Sequence, residues 1–295
     1  MAEKIHLDKL EFYITNVCNL TCSNCNRYNN YHFKGWQAWD DYAQELAQLS
    51  QRVHVQKPVI LGGEPLLNPD IVKWVEGIRK LWPNSYDVQI QSNGTRIDRV
   101  PGLYESMTRG NWIGVSIHRP EDRDELFARI RNFLQGTVTF NDGFDSAVGS
   151  AYQFRDSNGV KVHVWNNEIF GNTNIIQQPN GQFGLYNSNP AQAHDICSYR
   201  KWKNYHWIRG KIYKCGPVAL MPEFDQQHKF DITDQDREVL NGYRGLGMDE
   251  FDTRATEFFN TIDHVIPQCK FCPESVEYRP VYFTDTKKSW RVESA

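Results

Sequence analysis

From residue 7 to residue 134, strand-like and helix-like segments alternate, and few architectures accept that alternation. Leu7 to Ile14 reads as a strand, and Asp40 to Leu49 as a helix with Tyr42, Leu46 and Leu49 on one face. Val59-Ile60-Leu61 is the next strand. After it, Asn68-Pro69-Asp70 reads as a helix start: an Asn cap, a Pro in the first turn and an acid near the positive end of the dipole. Ile71, Val75, Ile78 and Trp82 then recur at helical spacing. Val88 to Ile90 and Trp112 to Ile117 read as strands, and a helix from about Pro120 to Leu134 opens with the same Pro-plus-acid signature. Strand-helix repetition of this kind predicts an α/β fold with a parallel sheet or barrel. From residue 136 to 196 the composition turns to Gly, Asn, Gln and Tyr, with one strand expected at Val160 to Trp165. The final hundred residues read as loop-rich, with short apolar runs at Trp207-Ile208 and Lys211-Ile212-Tyr213.

The bulk properties narrow the function. The chain has 295 residues, long enough for one large α/β domain with an appendage. A net charge of −3 and a pI near 6.3 leave nothing that demands nucleic acid or a lipid surface. No apolar run approaches the about 20 residues that span a bilayer, and Met1 to Lys4 lacks the apolar stretch of a signal peptide. A cytoplasmic location and no membrane partner are expected. Seven cysteines is an odd count, gathered at chelating spacings, which fits a disulfide framework poorly and metal ligation well.

Cys18, Cys22 and Cys25 form a C-x3-C-x2-C loop directly after the first strand. Three thiolates from one short loop bind three corners of a cubane iron–sulfur cluster and leave one iron open to an outside ligand. A structural zinc loop is the alternative, and it would need a fourth protein ligand nearby. Gly62-Gly63-Glu64-Pro65 follows the second strand, Gln91-Ser92-Asn93-Gly94-Thr95 the third, and Ser116-Ile117-His118 closes the fourth. These are the strand ends where barrel enzymes place their active sites.

Taken together, these segments resemble the radical S-adenosylmethionine (SAM) superfamily. The resemblance implies a [4Fe-4S] cluster on Cys18, Cys22 and Cys25, whose open iron is chelated by the amino and carboxylate groups of SAM. It implies that an electron from the cluster cleaves the S–C5′ bond to give a 5′-deoxyadenosyl radical. Gly62, Gly63, Glu64 and Pro65 match the GGEP motif that holds the methionine amino group, and Ser92, Asn93 and Ser116 fall where relatives contact the ribose and carboxylate. Asn24 stands where the superfamily usually has an aromatic residue beside adenine, a role open to Tyr28. An electron donor such as flavodoxin or ferredoxin is implied as a partner.

Cys197, Gly210, Cys215, Cys269 and Cys272 read as C-x12-G-x4-C followed by C-x2-C. Four cysteines suit zinc as well as a cluster on spacing alone. The pattern is similar to the twitch domain, a short relative of the SPASM domain that follows the barrel in many radical SAM enzymes. That resemblance implies an auxiliary [4Fe-4S] cluster on these four cysteines, and a β-hairpin between the first two that turns at Gly210. The expected organisation is a partial (β/α)6 TIM-like barrel over residues 1–190 and a twitch-type α+β domain over 191–295.

The expected reaction is hydrogen abstraction from a small polar substrate such as a sugar or cyclitol, with net oxidation where the auxiliary cluster accepts an electron. Peptide or protein modification is the alternative. A first strand that begins near Leu7 leaves no room for an N-terminal peptide-recognition domain, which favours the small molecule. A non-catalytic zinc- or cluster-binding interaction protein is the reading from another class. His118 and Glu168 are the candidate bases, with Arg119, Asn166 and His163 near other strand ends. Tyr199, Trp202, Tyr205 and Trp207 are expected to pack a core, or else to cover the auxiliary site.

Overall fold

Strand–helix alternation is built as expected between residues 5 and 133 of the computed structural model, which describes residues 4–146 and 149–284. Those residues divide into two compact units: one of 4–23, 29–169 and 280–284, and one of 24–28 and 170–279.

In the first unit, β1 (Ile5–Tyr13), β2 (Val53–Leu61), β3 (Gln89–Ser92) and β4 (Trp112–Ile117) are joined through α1 (Trp39–Arg52), α2 (Ile71–Leu81) and the short α3 (Leu103–Met107). After β4 come α4 (Arg123–Phe133), β5 (Val138–Ser146), β6 (Gly149–Asp156) and β7 (Lys161–Asn166). The strands lie in the order β1-β2-β3-β4-β7-β6-β5. Pairing is parallel from β1 through β7 and antiparallel between β7, β6 and β5. The unit is thus a mixed α/β fold on a parallel sheet.

One register row explains its core. Phe12, Ile60, Ile90, Ile113, Val162 and Phe154 are paired across six neighbouring strands, and all are fully buried. The helical layer meets them: the Trp82 ring, just past α2, lies 5.7 Å from Phe12, and Phe127 of α4 lies 5.0 Å from Phe154. Burying each such side chain contributes about 1.5–3 kcal/mol. Because side chains alternate along a strand, the next positions face the other way. There the register runs Glu11, Val59, Gln89, Trp112, Lys161 in one row, and Gln91, Gly114, His163, Gln153 in the row beyond.

Two expectations change here. Asn68 does not cap α2; Asp70 occupies the cap position. Asn68 instead donates its side-chain amide to the carbonyls of Ile14 (2.9 Å) and Gln37 (3.0 Å), tying β1 to the helix entry. And the βα alternation stops after α4, where a hairpin of β5 and β6 returns the chain to the parallel strand β7.

The second unit takes over at Phe170, ahead of the expected residue 191. The chain enters it through β8 (Ile169–Gly171), and β9 (Ile175–Gln177) pairs antiparallel with β10 (Phe183–Leu185). After α5 (Pro190–Asp195) and α6 (Ser198–Lys201), β11 (Asn204–Ile208) and β12 (Lys211–Tyr213) form the hairpin expected around Gly210. Arg209 and Gly210 both take positive φ, 49° and 82°, as a tight two-residue hairpin turn requires. The rest is more helical than the loop-rich reading predicts: α7 (Gly216–His228), α8 (Asp234–Asn241) and α9 (Phe251–Asn260) follow. Among the described residues no helix is long and apolar enough to cross a membrane.

Candidate functional site

All parallel strands of the first unit end at one edge of the sheet, so the segments after β1, β2, β3 and β4 gather there. Glu64, after β2, is the centre of that edge. It is fully buried, and its carboxylate accepts three hydrogen bonds: Ser92 Oγ donates to Oε1 at 2.7 Å, Leu66 N to Oε1 at 3.0 Å and Asn93 N to Oε2 at 2.7 Å. Burial pushes its pKa up to about 7, against the pull of those bonds and of the Arg96 charge. A buried carboxylate in this condition gains most from a cation brought against it. An ammonium group fits that need.

Gly62 and Gly63 are small because the cysteine loop lies on them. A Cβ at Gly62 would stand 2.6 Å from the Thr15 carbonyl oxygen, and one at Gly63 would fall against the Val17 carbonyl. Their segment is also bonded to that loop: Gly63 N donates to Thr15 O and Glu64 N to Val17 O, each at 2.8 Å. A second hook comes from the segment after β3. Asn93 Nδ2 donates to Asn19 Oδ1 (3.0 Å), Asn19 Nδ2 donates to Thr95 Oγ1 (2.8 Å), and Thr95 Oγ1 donates to Asn93 Oδ1 (2.6 Å). Asn19 sits between Cys18 and Cys22, so this closed ring of bonds holds the loop at the strand ends.

The loop is braced from its other side by residues 281–284. Ser23 N donates to Tyr282 O at 2.7 Å, Thr284 N donates to Thr21 O at 2.8 Å, and Cys22 forms an isolated antiparallel bridge with Phe283. Phe283 also carries the Arg119 guanidinium over its ring, 4.4 Å from the centroid, while Arg119 forks onto Asp122 at 2.7 and 2.8 Å. Within the loop, Leu20 N donates to Cys18 Sγ at 3.4 Å, and Cys22 is buried. Asn24 adopts a left-handed φ of 56°, a conformation that Asn tolerates better than an aromatic residue. Sulfur ligands drawn from one short, backbone-braced loop fit an iron–sulfur cluster by their chemistry.

Ser116 is nearly buried and accepts hydrogen bonds from Gln91 Nε2 (2.9 Å) and Asn167 Nδ2 (2.8 Å). His118 Nδ1 donates to the Asn167 carbonyl at 3.2 Å, which leaves Nε2 as the basic nitrogen. Burial lowers the His118 pKa, favouring the neutral ring. Glu168 stands two residues past β7, and its carbonyl accepts from Val281 N at 2.8 Å. His118 and Glu168 therefore follow adjacent strands at the same edge, paired at Ile117 and Asn166. His163 lies inside β7 rather than at its end.

In the second unit, Cys197, Cys215, Cys269 and Cys272 line one cavity of about 50 Å³ together with His194 and Tyr199. Burial, then the neighbouring sulfurs Cys269 and Cys197, pushes the Cys272 thiol up to about 12. Burial, then Cys272 and Cys197, likewise raises Cys215. Cys215, Cys269 and Cys272 all resist ionising, a condition that metal charge would relieve. Among the described residues, no three His, Cys, Asp or Glu side chains are gathered as ligands of a single metal ion. Tyr28 is buried: its ring lies 5.8 Å from Phe224 and its hydroxyl donates to Asn174 Oδ1 at 3.4 Å. Tyr205 and Trp207 are buried core and Trp202 is exposed, so of the four aromatic residues weighed from the sequence Tyr199 lines the cavity.

Asn19, Thr95, Arg96 and Asn167 escape a motif-based reading although the first two lie inside the motifs. Nothing in the sequence marks residues 281–284 as a brace.

Residues 12–142 match the Radical SAM superfamily. The GTP 3′,8-cyclase of Clostridium acetobutylicum is 28% identical over 148 residues, 48% of this chain and 44% of that protein. The chain thus spans less than half the length of that curated relative. Among solved structures, BtrN in complex with AdoMet and 2-DOIA is similar with a TM-score of 0.42 and 12% identity, covering 91% of this chain and 85% of that one. Native anSMEcpe with bound AdoMet and the Kp18Cys peptide is similar with a TM-score of 0.35 and 19% identity, covering 43% of this chain and 40% of that one. Over residues 12–142, then, this chain carries a Radical SAM domain.

Proposed function

We propose that the chain reductively cleaves SAM and abstracts a hydrogen atom from a small polar substrate, a sugar, a cyclitol or a similar molecule. Cys18, Cys22 and Cys25 would hold the SAM-binding [4Fe-4S] cluster, which when bound supplies the electron that breaks the S–C5′ bond. Glu64, desolvated and held by Ser92 and Asn93, carries this reading: it is poised to pair with the methionine ammonium. Gly62, Gly63 and Pro65 keep that carboxylate against the cysteine loop, and Ser92, Asn93 and Ser116 stand where the remaining SAM contacts fall. The sheet and its helices form a partial TIM-like barrel around this edge, in a cytoplasmic protein served by an electron donor such as flavodoxin or ferredoxin.

The second unit acts as a twitch-type domain in this proposal. Cys197, Cys215, Cys269 and Cys272 would hold an auxiliary [4Fe-4S] cluster, which when bound supplies an acceptor for an electron from the substrate. A two-electron oxidation also needs a proton acceptor. His118, neutral and with Nε2 as its basic nitrogen, suits that role better than Glu168. The GTP 3′,8-cyclase likeness supports the shared domain chemistry and covers too little of that protein to carry its substrate across.

Deuterium transfer tests the reaction. Perdeuterated cyclitols and monosaccharides incubated with reduced enzyme and SAM should put deuterium into 5′-deoxyadenosine. Deuterium passing instead from a peptide or from GTP would replace the substrate class.

A further inference from the structure

The sheet has one face sealed by helices and one left half open. On the open face, Gln91 of β3, Gly114 of β4, His163 of β7 and Gln153 of β6 stand side by side in register. Gln91, His163 and Gln153 are half-buried, as are Trp112 and Trp165, which flank the row on β4 and β7. Gly114 makes a notch: a Cβ there would lie 2.6 Å from the Trp165 ring and 3.0 Å from Gln91 Oε1, so the indole leans across it. Trp112 and Trp165 meet edge to face at 5.8 Å, and Trp112 lies 4.7 Å from His163.

The hydrogen-bonding groups of this row are uncharged. Gln153 Nε2 donates to His163 Nε2 at 2.9 Å, which requires the neutral ring with its proton on Nδ1. Burial, then the Lys161 charge, holds His163 down to about 4, in agreement with a neutral ring. The cations in the neighbouring positions are already engaged: Lys161 with Asp87 at 3.2 Å and Lys9 with Glu11 at 2.7 Å. The row also joins the strand-end site without a break. Gln91 precedes Ser92, which holds Glu64, and Gln91 donates to Ser116 at 2.9 Å.

We propose that this row is the substrate-recognition surface, and that its ligand is an uncharged, hydroxyl-bearing ring of monosaccharide size. The indole faces of Trp165 and Trp112 take the partly positive C–H face of such a ring. The amides of Gln91 and Gln153, each with one N–H bond already made, to Ser116 and to His163, have further donor and acceptor capacity that matches hydroxyl groups. A site built this way discriminates by leaving its own polar groups unpaired when a hydroxyl is missing. A triphosphate would instead call for arginine or lysine forks in place of amides. The proposal rests on the small-substrate reading above and adds the residues and the charge of the ligand.

Saturation-transfer NMR on anaerobically reconstituted enzyme with SAM tests it, using myo-inositol, scyllo-inositol, D-glucose, GTP and a cysteine-containing peptide as probes. Neutral rings should be saturated at their C–H protons, and binding should weaken roughly tenfold or more in Trp165→Ala and Gln153→Leu, while His163→Gln, which keeps an uncharged hydrogen-bonding group, retains part of it. Circular dichroism shows that each variant is folded. GTP or peptide binding without neutral-ring binding, no neutral ring binding at all, or variants that bind as the wild type does would each overturn the proposal. Release of 5′-deoxyadenosine by the wild type alone tests the earlier reading separately.

Discussion

Asn174 donates its side-chain amide to the Cys272 sulfur at 2.8 Å, and to the Phe271 carbonyl at 3.2 Å. Its own oxygen accepts from Tyr28, whose main-chain N–H donates to Cys25 O at 3.0 Å. An N–H···S bond spreads the negative charge of a cluster thiolate and raises the reduction potential of the cluster. With an auxiliary cluster on these cysteines, Asn174→Leu should shift its midpoint to a more negative potential in a redox titration followed by electron paramagnetic resonance. A bound cluster whose potential does not move would remove this role from Asn174, and zinc in its place would remove the auxiliary cluster itself.

Glu64 gives the protein a pH signature. Its pKa stands near 4.5 in the unfolded chain and is pushed to about 7 by burial, so folding takes up a proton between those values. Its favourable term is complete below about pH 4.5 and is lost as the pH rises through 7, with a size on the order of 3 kcal/mol at most. The slope of urea-denaturation free energy against pH should therefore flatten over this window in Glu64→Gln. Binding of an ammonium-bearing ligand runs the other way. It selects the ionised carboxylate, so SAM affinity measured by calorimetry should rise from pH 6 to 8 in the wild type and lose that rise in Glu64→Gln.

Gly63→Ala places a methyl group against the Val17 carbonyl, 2.7 Å from its carbon, where main chain meets main chain and no side chain can swing away. The strain should cost roughly 1–3 kcal/mol in denaturant unfolding. It should also displace the cysteine loop. Iron bound per chain after reconstitution should fall toward that of a triple Cys18, Cys22, Cys25→Ala variant, and an unchanged iron content would show that the loop does not depend on this contact.

Much of the first unit is legible in the sequence because each element carries its own local signal. The strand Trp112–Ile117 is bounded as the apolar run predicts, and α2 follows the spacing of Ile71, Val75 and Ile78. Strand β2 begins earlier, at Val53, because the alternation of Val53 and Val55 with polar neighbours is as strand-like as the run at Val59. The β5–β6 hairpin is hidden for a different reason. Its partners, such as Phe140 with Phe154, meet only in the register of the sheet, and Phe140 is 44% exposed, which blurs the apolar pattern. In the second unit, α7 is masked by Pro222 within it, whereas Thr233 with Asp236 at the start of α8 is a cap signature that a closer reading would find.

The site divides along the same line. Glu64, Ser92 and Asn93 are named by their motifs, and the structure brings Ser92 Oγ and Asn93 N each to 2.7 Å from the Glu64 carboxylate. The Asn19–Asn93–Thr95 ring and the brace from residues 281–284 depend on chain segments far apart in sequence, and no local pattern announces such pairings.

The central claim is settled most directly by SAM turnover. Enzyme reconstituted without oxygen and then reduced should convert SAM to 5′-deoxyadenosine and methionine, seen by liquid chromatography with mass detection, and Cys22→Ala should abolish the conversion. Iron- and sulfide-loaded protein that leaves SAM intact after reduction, or equal turnover by Cys22→Ala, would contradict the account.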